Sequence, residues 1–221
     1  MKTYVIGKFT EIELDSWHRK DIFNHFIQVS PSVFSMVVNI DVTKLIDFIK
    51  KARLKFNPVM IWLVSKIINQ HEEFLYSILP PSQLGLFSIV HPLYTEMGPK
   101  TKNIKYLWTE YDPDFKIFYD RCINDKEVNK ESENWQPQGK IPLNVFSVSC
   151  IPWVSFSSFH LENYEAKHYL TPQVTYGKYF EANGKTYLPM QMQAHHANCD
   201  GYHVARFFTE LEDLGKTFQG E

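Results

Sequence analysis

The stretch Val174–Arg206, VTYGKYFEANGKTYLPMQMQAHHANCDGYHVAR, decides how the chain is read. Its first half holds two β-rich runs, Val174–Glu181 and Thr186–Ala194, around Asn183-Gly184. Asn-Gly between two such runs signals a two-residue hairpin, because both turn residues must take positive φ. The second half leaves the strand through His195 and His196. Asp200 and Gly201 then open an amphipathic helix that runs to about Lys216 and buries Val204, Phe207, Phe208, Leu211 and Leu214. A strand exit faces a cleft more readily than the middle of a strand does. An Asp at a helix start is favoured by the helix dipole and can cap it. Histidine is the side chain best suited to general-base work near neutral pH. HHxxxDG between a strand and a helix is therefore the candidate site.

Upstream, the pattern alternates. Residues 15–28 read as a helix with Asp15 as N-cap, and 33–42 as a strand. A helix follows from Asp41 or Thr43 to about Ala52. Another begins near Pro58, which suits a first turn, and runs to about Gln70. Residues 84–95 are strand material broken at Pro92, and 103–109 a further strand. A helix is expected from Pro113 to Cys122. The polar stretch 123–140 reads as a long surface loop. Residues 143–149 and 153–159 read as strands. Helices alternating with strands, together with an antiparallel terminal hairpin, predict α/β with a mixed sheet.

The bulk properties exclude several classes. The chain has 221 residues, with 17 Phe, 12 Tyr and 5 Trp, which is too aromatic for a disordered protein. This length suits one domain, residues 1–221, that needs no metal or disulfide for stability. A net charge of −2 gives no basic excess for nucleic acid. Apolar runs such as Met60–Val64 are too short to span a bilayer, and no signal peptide is evident. Three widely spaced cysteines, Cys122, Cys150 and Cys199, are not a disulfide framework and favour the cytoplasm. A metal site made of His196, Cys199, Asp200 and His203 would need the last helix to start early. A start at Asp200 pulls His196 off that face, so no metal is expected. Neither GxGxxG nor GxxxxGK[ST] occurs.

QAHHANCDGYHVARF resembles the signature of type A chloramphenicol acetyltransferases, close to QxHHxxxDGxH. Further counterparts follow in family order: Ser16–Lys20 (SWHRK), Lys55–Pro58 (KFNP), Leu107–Tyr111 (LWTEY), Ser149–Trp153 (SCIPW) and Thr175–Tyr179 (TYGKY). The resemblance covers nearly the whole chain. It implies the two-layer CoA-dependent acyltransferase fold, shared with dihydrolipoyl acyltransferases, with a mixed β-sheet flanked by helices. It also implies a homotrimer with active sites between subunits, and transfer of acetyl from acetyl-CoA to a hydroxyl of chloramphenicol, an antibiotic-resistance activity.

By the same resemblance His196 is the general base, Ser149 the oxyanion donor and Thr175 a hydroxyl that assists through water. Asp200 and Arg19 form an ion pair that shapes the site. Without the resemblance, Arg19 reads as a solvated helix residue and Ser149 as an ordinary strand serine. Lys55, Lys178 and Tyr179 match positions near the nucleotide end of CoA, and Trp153 a packing position beside the cofactor tunnel. Phe26, Thr95 and Ile104 fall in the acceptor region. There the chain departs from the family: Met97 and Ile104 replace phenylalanines, Phe26 a common tyrosine, Ser147 a frequent asparagine, and Asn198 a frequent valine. These departures are expected to reshape the acceptor wall. Two other readings stay open: an acyltransferase for another small hydroxyl acceptor, and a non-catalytic aromatic-ligand-binding protein on the same scaffold.

Overall fold

The protein was described from a computed structural model, which places residues 6–80, 82–161 and 169–220. His168, to which the sequence assigns no chemistry, lies outside the described residues. The chain runs β1 (Phe9–Glu11), α1 (Lys20–Asn24), β2 (Val33–Asp41), α2 (Thr43–Ala52), α3 (Phe56–Asn69), β3 (Tyr76–Leu79) and β4 (Gln83–Phe87). It continues through β5 (His91–Met97), β6 (Ile104–Trp108), α4 (Phe115–Val128), β7 (Val145–Cys150), β8 (Gln173–Tyr176), β9 (Phe180–Ala182), β10 (Lys185–His195) and α5 (Gly201–Thr217).

The larger sheet has the order β2-β10-β8-β7-β5-β6, with β9 hairpinned onto β10. It is mixed: β5–β7 and β7–β8 are parallel, and the other pairs are antiparallel. The period of two divides its faces sharply. One face presents Tyr94, Val148, Val174, Tyr176, Met190 and Met192, all in the main core. Helices α2 to α5 pack on that face, and α3 lies deepest, with Val59 to Val64 at most 1% exposed. The opposite face carries Ser147, Ser149, Gln173, Thr175, Gln191 and Gln193, aligned by the pairs Ser149↔Thr175 and Thr175↔Gln191. A small sheet, β1-β4-β3, closes over a second cluster that includes Phe23, Tyr76, Leu84, Leu170 and Ala197.

Several elements differ from the sequence reading. Residues 15–28 do not form one helix. A 3₁₀ turn at Leu14–Ser16, the short α1 and a π-helical turn at His25–Val29 replace it. Asp15 caps nothing and pairs with Lys20 at 2.5 Å. Near residues 84–95 the strand breaks at Ser88–Val90, so that β4 and β5 can join different sheets. Pro92 lies inside β5, near its start, where its missing N–H costs little. α4 runs on to Val128, because the polar residues expected to form a loop make its solvent face. Residues 153–159 form no strand, and the run after Thr175 is interrupted at Gly177–Tyr179. The Asn183-Gly184 turn is present, with φ of 52° and 72°.

One buried cation fixes the segment after α4. The Lys105 Nζ donates to the carbonyls of Asn129, Lys130 and Ser132 at 2.7, 2.8 and 2.9 Å. All three ammonium protons are used, and they satisfy the carbonyl of the α4 C-cap residue Asn129 and two carbonyls of the turn that follows it. The chain then returns along β6: Tyr106 N–H donates to the Trp135 carbonyl, and the Gln138 amide bonds both the N–H and the carbonyl of Trp108. Lys105→Met should therefore lower stability by about 2–4 kcal/mol, read by urea denaturation. Stability within 0.5 kcal/mol, roughly the size of a surface substitution effect, would refute that anchoring.

Candidate active site

Three groups of residues stand out, and the first surrounds His196. After β10 the chain makes a tight turn in which the N–H groups of Asn198 and Cys199 both donate to the His195 carbonyl. The His195 Nδ1 accepts the Ala197 N–H at 3.1 Å. His196 N–H donates to the Ser32 carbonyl at 2.9 Å, tying the turn to the start of β2. Its imidazole lies parallel to the Phe26 ring, with centroids 4.2 Å apart, while Phe34 leans on it at 5.1 Å. Two aromatic side chains thus hold the ring in one plane. Nδ1 is the buried nitrogen and lies 3.3 Å from Asp200 Oδ1, without hydrogen-bond alignment. This leaves Nε2 as the nitrogen a substrate can reach.

Asp200 does not stand alone. Arg19 binds it in a two-pronged pair, Nη1–Oδ2 at 2.9 Å and Nη2–Oδ1 at 3.2 Å. The Arg19 Nε also donates to the Ala197 carbonyl at 3.4 Å. Arg19 is only 9% exposed, so it is not the solvated helix residue that its local sequence suggests. The Arg19 guanidinium holds the Asp200 carboxyl below its ordinary range. Asp200 occupies the N-cap position of α5, and its own N–H donates to His203 Nδ1 at 2.9 Å.

The second group lines a cavity of about 900 Å³ on the polar face of the large sheet. Ser149, Thr175, Thr95 and Ile104 are all in its wall, and Ser147 is as well. Ser149 Oγ is 3.1 Å from Thr95 Oγ1, so the two hydroxyls share a hydrogen bond. Met97 and Ile104 face each other across the β5–β6 end, 37% and 50% exposed. His196, Arg19, Asp200 and Phe26 are not in this wall. The register explains the separation. Thr175 pairs with Gln191, and His196 lies five residues further along, roughly 16 Å at strand spacing, while the wall comes nearest at Gln173, paired with Gln193.

The third group brings Lys55, Lys178, Tyr179 and Trp153 to one surface region. Tyr179 packs its ring on Phe56, next to Lys55, at 5.8 Å. Lys178 N–H donates to the Val154 carbonyl at 2.8 Å, which draws in Trp153. Gly177 permits this approach: a Cβ there would lie 2.9 Å from both the Phe156 ring and the Val154 carbonyl. Trp153 is 63% exposed and is not a core side chain. Lysines beside free aromatic rings suit a phosphorylated adenine nucleotide.

Comparison with known proteins gives this arrangement its relatives. The family model described as "Chloramphenicol acetyltransferase" matches residues 7–212. The chain belongs to the chloramphenicol acetyltransferase family. The chloramphenicol acetyltransferase of Clostridium perfringens is 37% identical over 212 residues, covering 96% of this chain and 97% of the relative. Among solved structures, a chloramphenicol acetyltransferase superposes with a TM-score of 0.87 at 21% identity, covering 94% of this chain and 99% of that one. The dihydrolipoamide acetyltransferase of Azotobacter vinelandii superposes with a TM-score of 0.66 at 15% identity, covering 96% of this chain and 92% of that one. These likenesses bear out the CoA-dependent acyltransferase fold with its mixed sheet flanked by helices.

Within this family fold, several site residues were not legible in the sequence. Gln136 and Ile141 line the cavity because Lys105 and Gln138 fold the segment after α4 back on β6. Tyr106 joins the wall from β6, and Phe34 meets His196 from β2. Only Phe34 leaves a trace, as an aromatic at the start of an expected strand. Asn198 behaves differently from expectation. It is fully buried, its amide donates to the carbonyls of Glu73 and Leu170, and it braces the turn from behind instead of forming an acceptor wall. Among the described residues, no group of three or more His, Cys, Asp or Glu side chains is placed to hold a metal ion.

The ion pair gives a test with a defined sign. Asp200 has a lowered folded-state pKa, so the pair's stabilisation is full above the ordinary aspartate value and is lost as pH falls through the lowered one. Asp200 keeps 38% of its side chain accessible, which moderates the penalty. Arg19→Met should cost about 1–3 kcal/mol at neutral pH, and less below pH ~3. A constant difference between wild type and variant from neutral pH to pH ~2 would contradict the electrostatic assignment.

Proposed function

We propose that the chain is an acetyl-CoA-dependent O-acetyltransferase that acetylates chloramphenicol, with His196 as general base. The observation that carries the reading is the fixed imidazole: a ring clamped by Phe26 and Phe34, its buried Nδ1 beside Asp200, its Nε2 left for substrate. The acceptor hydroxyl gives its proton to Nε2 as its oxygen attacks the thioester carbonyl carbon. The C=O electron pair moves to oxygen, and the resulting oxyanion takes a hydrogen bond from Ser149. The oxyanion then collapses, the carbon–sulfur bond breaks, and the CoA thiolate takes the proton back from the imidazolium. No covalent acyl-enzyme is needed.

Ser149 is suited to its part. Its Oγ bonds with Thr95 Oγ1, which restricts its rotation, and it opens into a cavity of ordinary small-ligand size. Thr175, on the neighbouring strand at the same level, assists through water. Asp200 and Arg19 keep the His196 turn in shape. Lys55, Lys178, Tyr179 and Trp153 receive the nucleotide end of CoA, while Phe26, Thr95 and Ile104 border the acceptor.

The active unit is a homotrimer in the cytoplasm, each chain acting as one domain. Along the strand, roughly 16 Å separates His196 from the level of Ser149 and Thr175, which supports a site completed between subunits, the base from one and the acceptor cavity from its neighbour. The three cysteines are free, which suits a reducing compartment.

Mixing the protein with acetyl-CoA and chloramphenicol should release free thiol. His196→Ala should abolish that release while the protein stays folded; a near-normal rate would exclude His196 as the base. Ser149→Ala should lower kcat by about 100-fold with little change in KM. An unchanged kcat would remove Ser149 from the mechanism.

A further inference from the structure

The last histidine of the motif, His203, has no part in the steps above, yet it holds the residue on which they depend. It is the third residue of α5, and at that position a side chain can reach back to the N-cap N–H. In a usual capping box a Glu or Gln does so. Here His203 Nδ1 accepts the Asp200 N–H at 2.9 Å. The ring does not line the acceptor cavity, and its side chain is 20% exposed.

We propose that His203 is a positioning residue of the active site, fixing the Asp200 backbone through a hydrogen bond that only a neutral imidazole protonated at Nε2 can accept. The inference rests on the reading of His196 as the base. Asp200 must place one carboxylate on both Arg19 prongs and 3.3 Å from His196 Nδ1. Its side chain can turn about few bonds, so its backbone decides where the carboxylate sits. If the His203 acceptor is lost, the part-buried Asp200 N–H is left unpaired and the backbone is free to rotate.

The residue type follows from the charges around it. A Glu here would set a second carboxylate against Asp200, whose Oδ2 lies 3.9 Å from His203 Nδ1. A neutral acceptor avoids that repulsion. The charged groups facing the ring are Glu73 from the turn before β3, Asp200, Arg19, and Arg206 from α5 itself. Burial outweighs the two carboxylates and pushes the His203 pKa down, which keeps Nδ1 an acceptor near neutral pH.

The test compares His203→Ala with His203→Gln, whose side-chain amide oxygen can reach back to the Asp200 N–H as the Gln of a usual capping box does. Melting temperatures establish that each is folded. The thiol-release assay should show kcat of His203→Ala reduced about 10- to 100-fold, with KM for acetyl-CoA and chloramphenicol within about twofold. His203→Gln should recover most of the loss. Nitrogen NMR of the imidazoles in the unmodified protein should show His203 with its proton on Nε2. A folded His203→Ala with wild-type kcat would overturn the proposal. So would a His203→Gln as impaired as the alanine variant, or a His203 ring protonated at Nδ1. If the wild-type protein itself released no thiol, the base reading would fail, and the imidazole protonation would still decide the His203 contact.

Discussion

The Arg19–Asp200 pair joins residues 181 positions apart, and the candidate site depends on it more than on any other contact. Arg19 comes from the N-terminal segment beneath the small sheet, and Asp200 from the head of the last helix. Through Arg19 Nε the same side chain also holds the Ala197 carbonyl, so the middle of the turn bearing His196 and the Asp200 that follows it are tied to one guanidinium. A planar, permanently charged fork suits such a task better than a lysine, which has no fixed geometry. Phe26 comes from the same N-terminal segment, in the π-helical turn that follows α1. The segment that supplies the cation therefore also supplies the ring on which His196 stacks.

The large sheet does a second kind of work. Its apolar face is sealed by four helices, which leaves the other face free to carry hydroxyls and amides in register. Ser149, Thr175 and Gln191 lie across three adjacent strands because β7–β8 pairing is parallel and β8–β10 pairing antiparallel. Shifting any of these strands by one residue would turn the side chains of Ser149, Thr175 or Gln191 into the core and those of Val148, Val174 or Met190 out to the polar face. The close packing of Val148, Val174 and Met190 on the helix side thus specifies the chemistry on the other side.

The acceptor cavity is assembled differently from the histidine cluster. Its floor is sheet, but part of its wall comes from the irregular chain after α4, held by Lys105 and Gln138 through backbone contacts. Backbone anchoring tolerates side-chain change at positions such as Gln136, so this wall can vary while the fold persists. The departures from the family at Met97 and Ile104 fall in the same region, at the exposed end of the β5–β6 pair.

By itself, the sequence determined the alternation of elements, the Asn183-Gly184 hairpin, the deep burial of α3 and the helix after Asp200. These depend on local periodicity, turn chemistry and capping, which act over a few residues. The HHxxxDG stretch was legible for the same reason. The motif order also placed Arg19 with Asp200, although the local pattern around Arg19 pointed to a solvated residue. Tertiary structure alone decided that residues 15–28 break into three short turns, since Trp17, Phe23 and Phe26 must pack against the small sheet and the His196 turn. It alone decided that Asn198 braces from behind, that Trp153 is exposed, and that Gln136 reaches the cavity. It also decided that His196 and Ser149 lie apart within one chain. Each of these follows from contacts between residues distant in sequence, and a single strand or helix carries no record of what will pack against it.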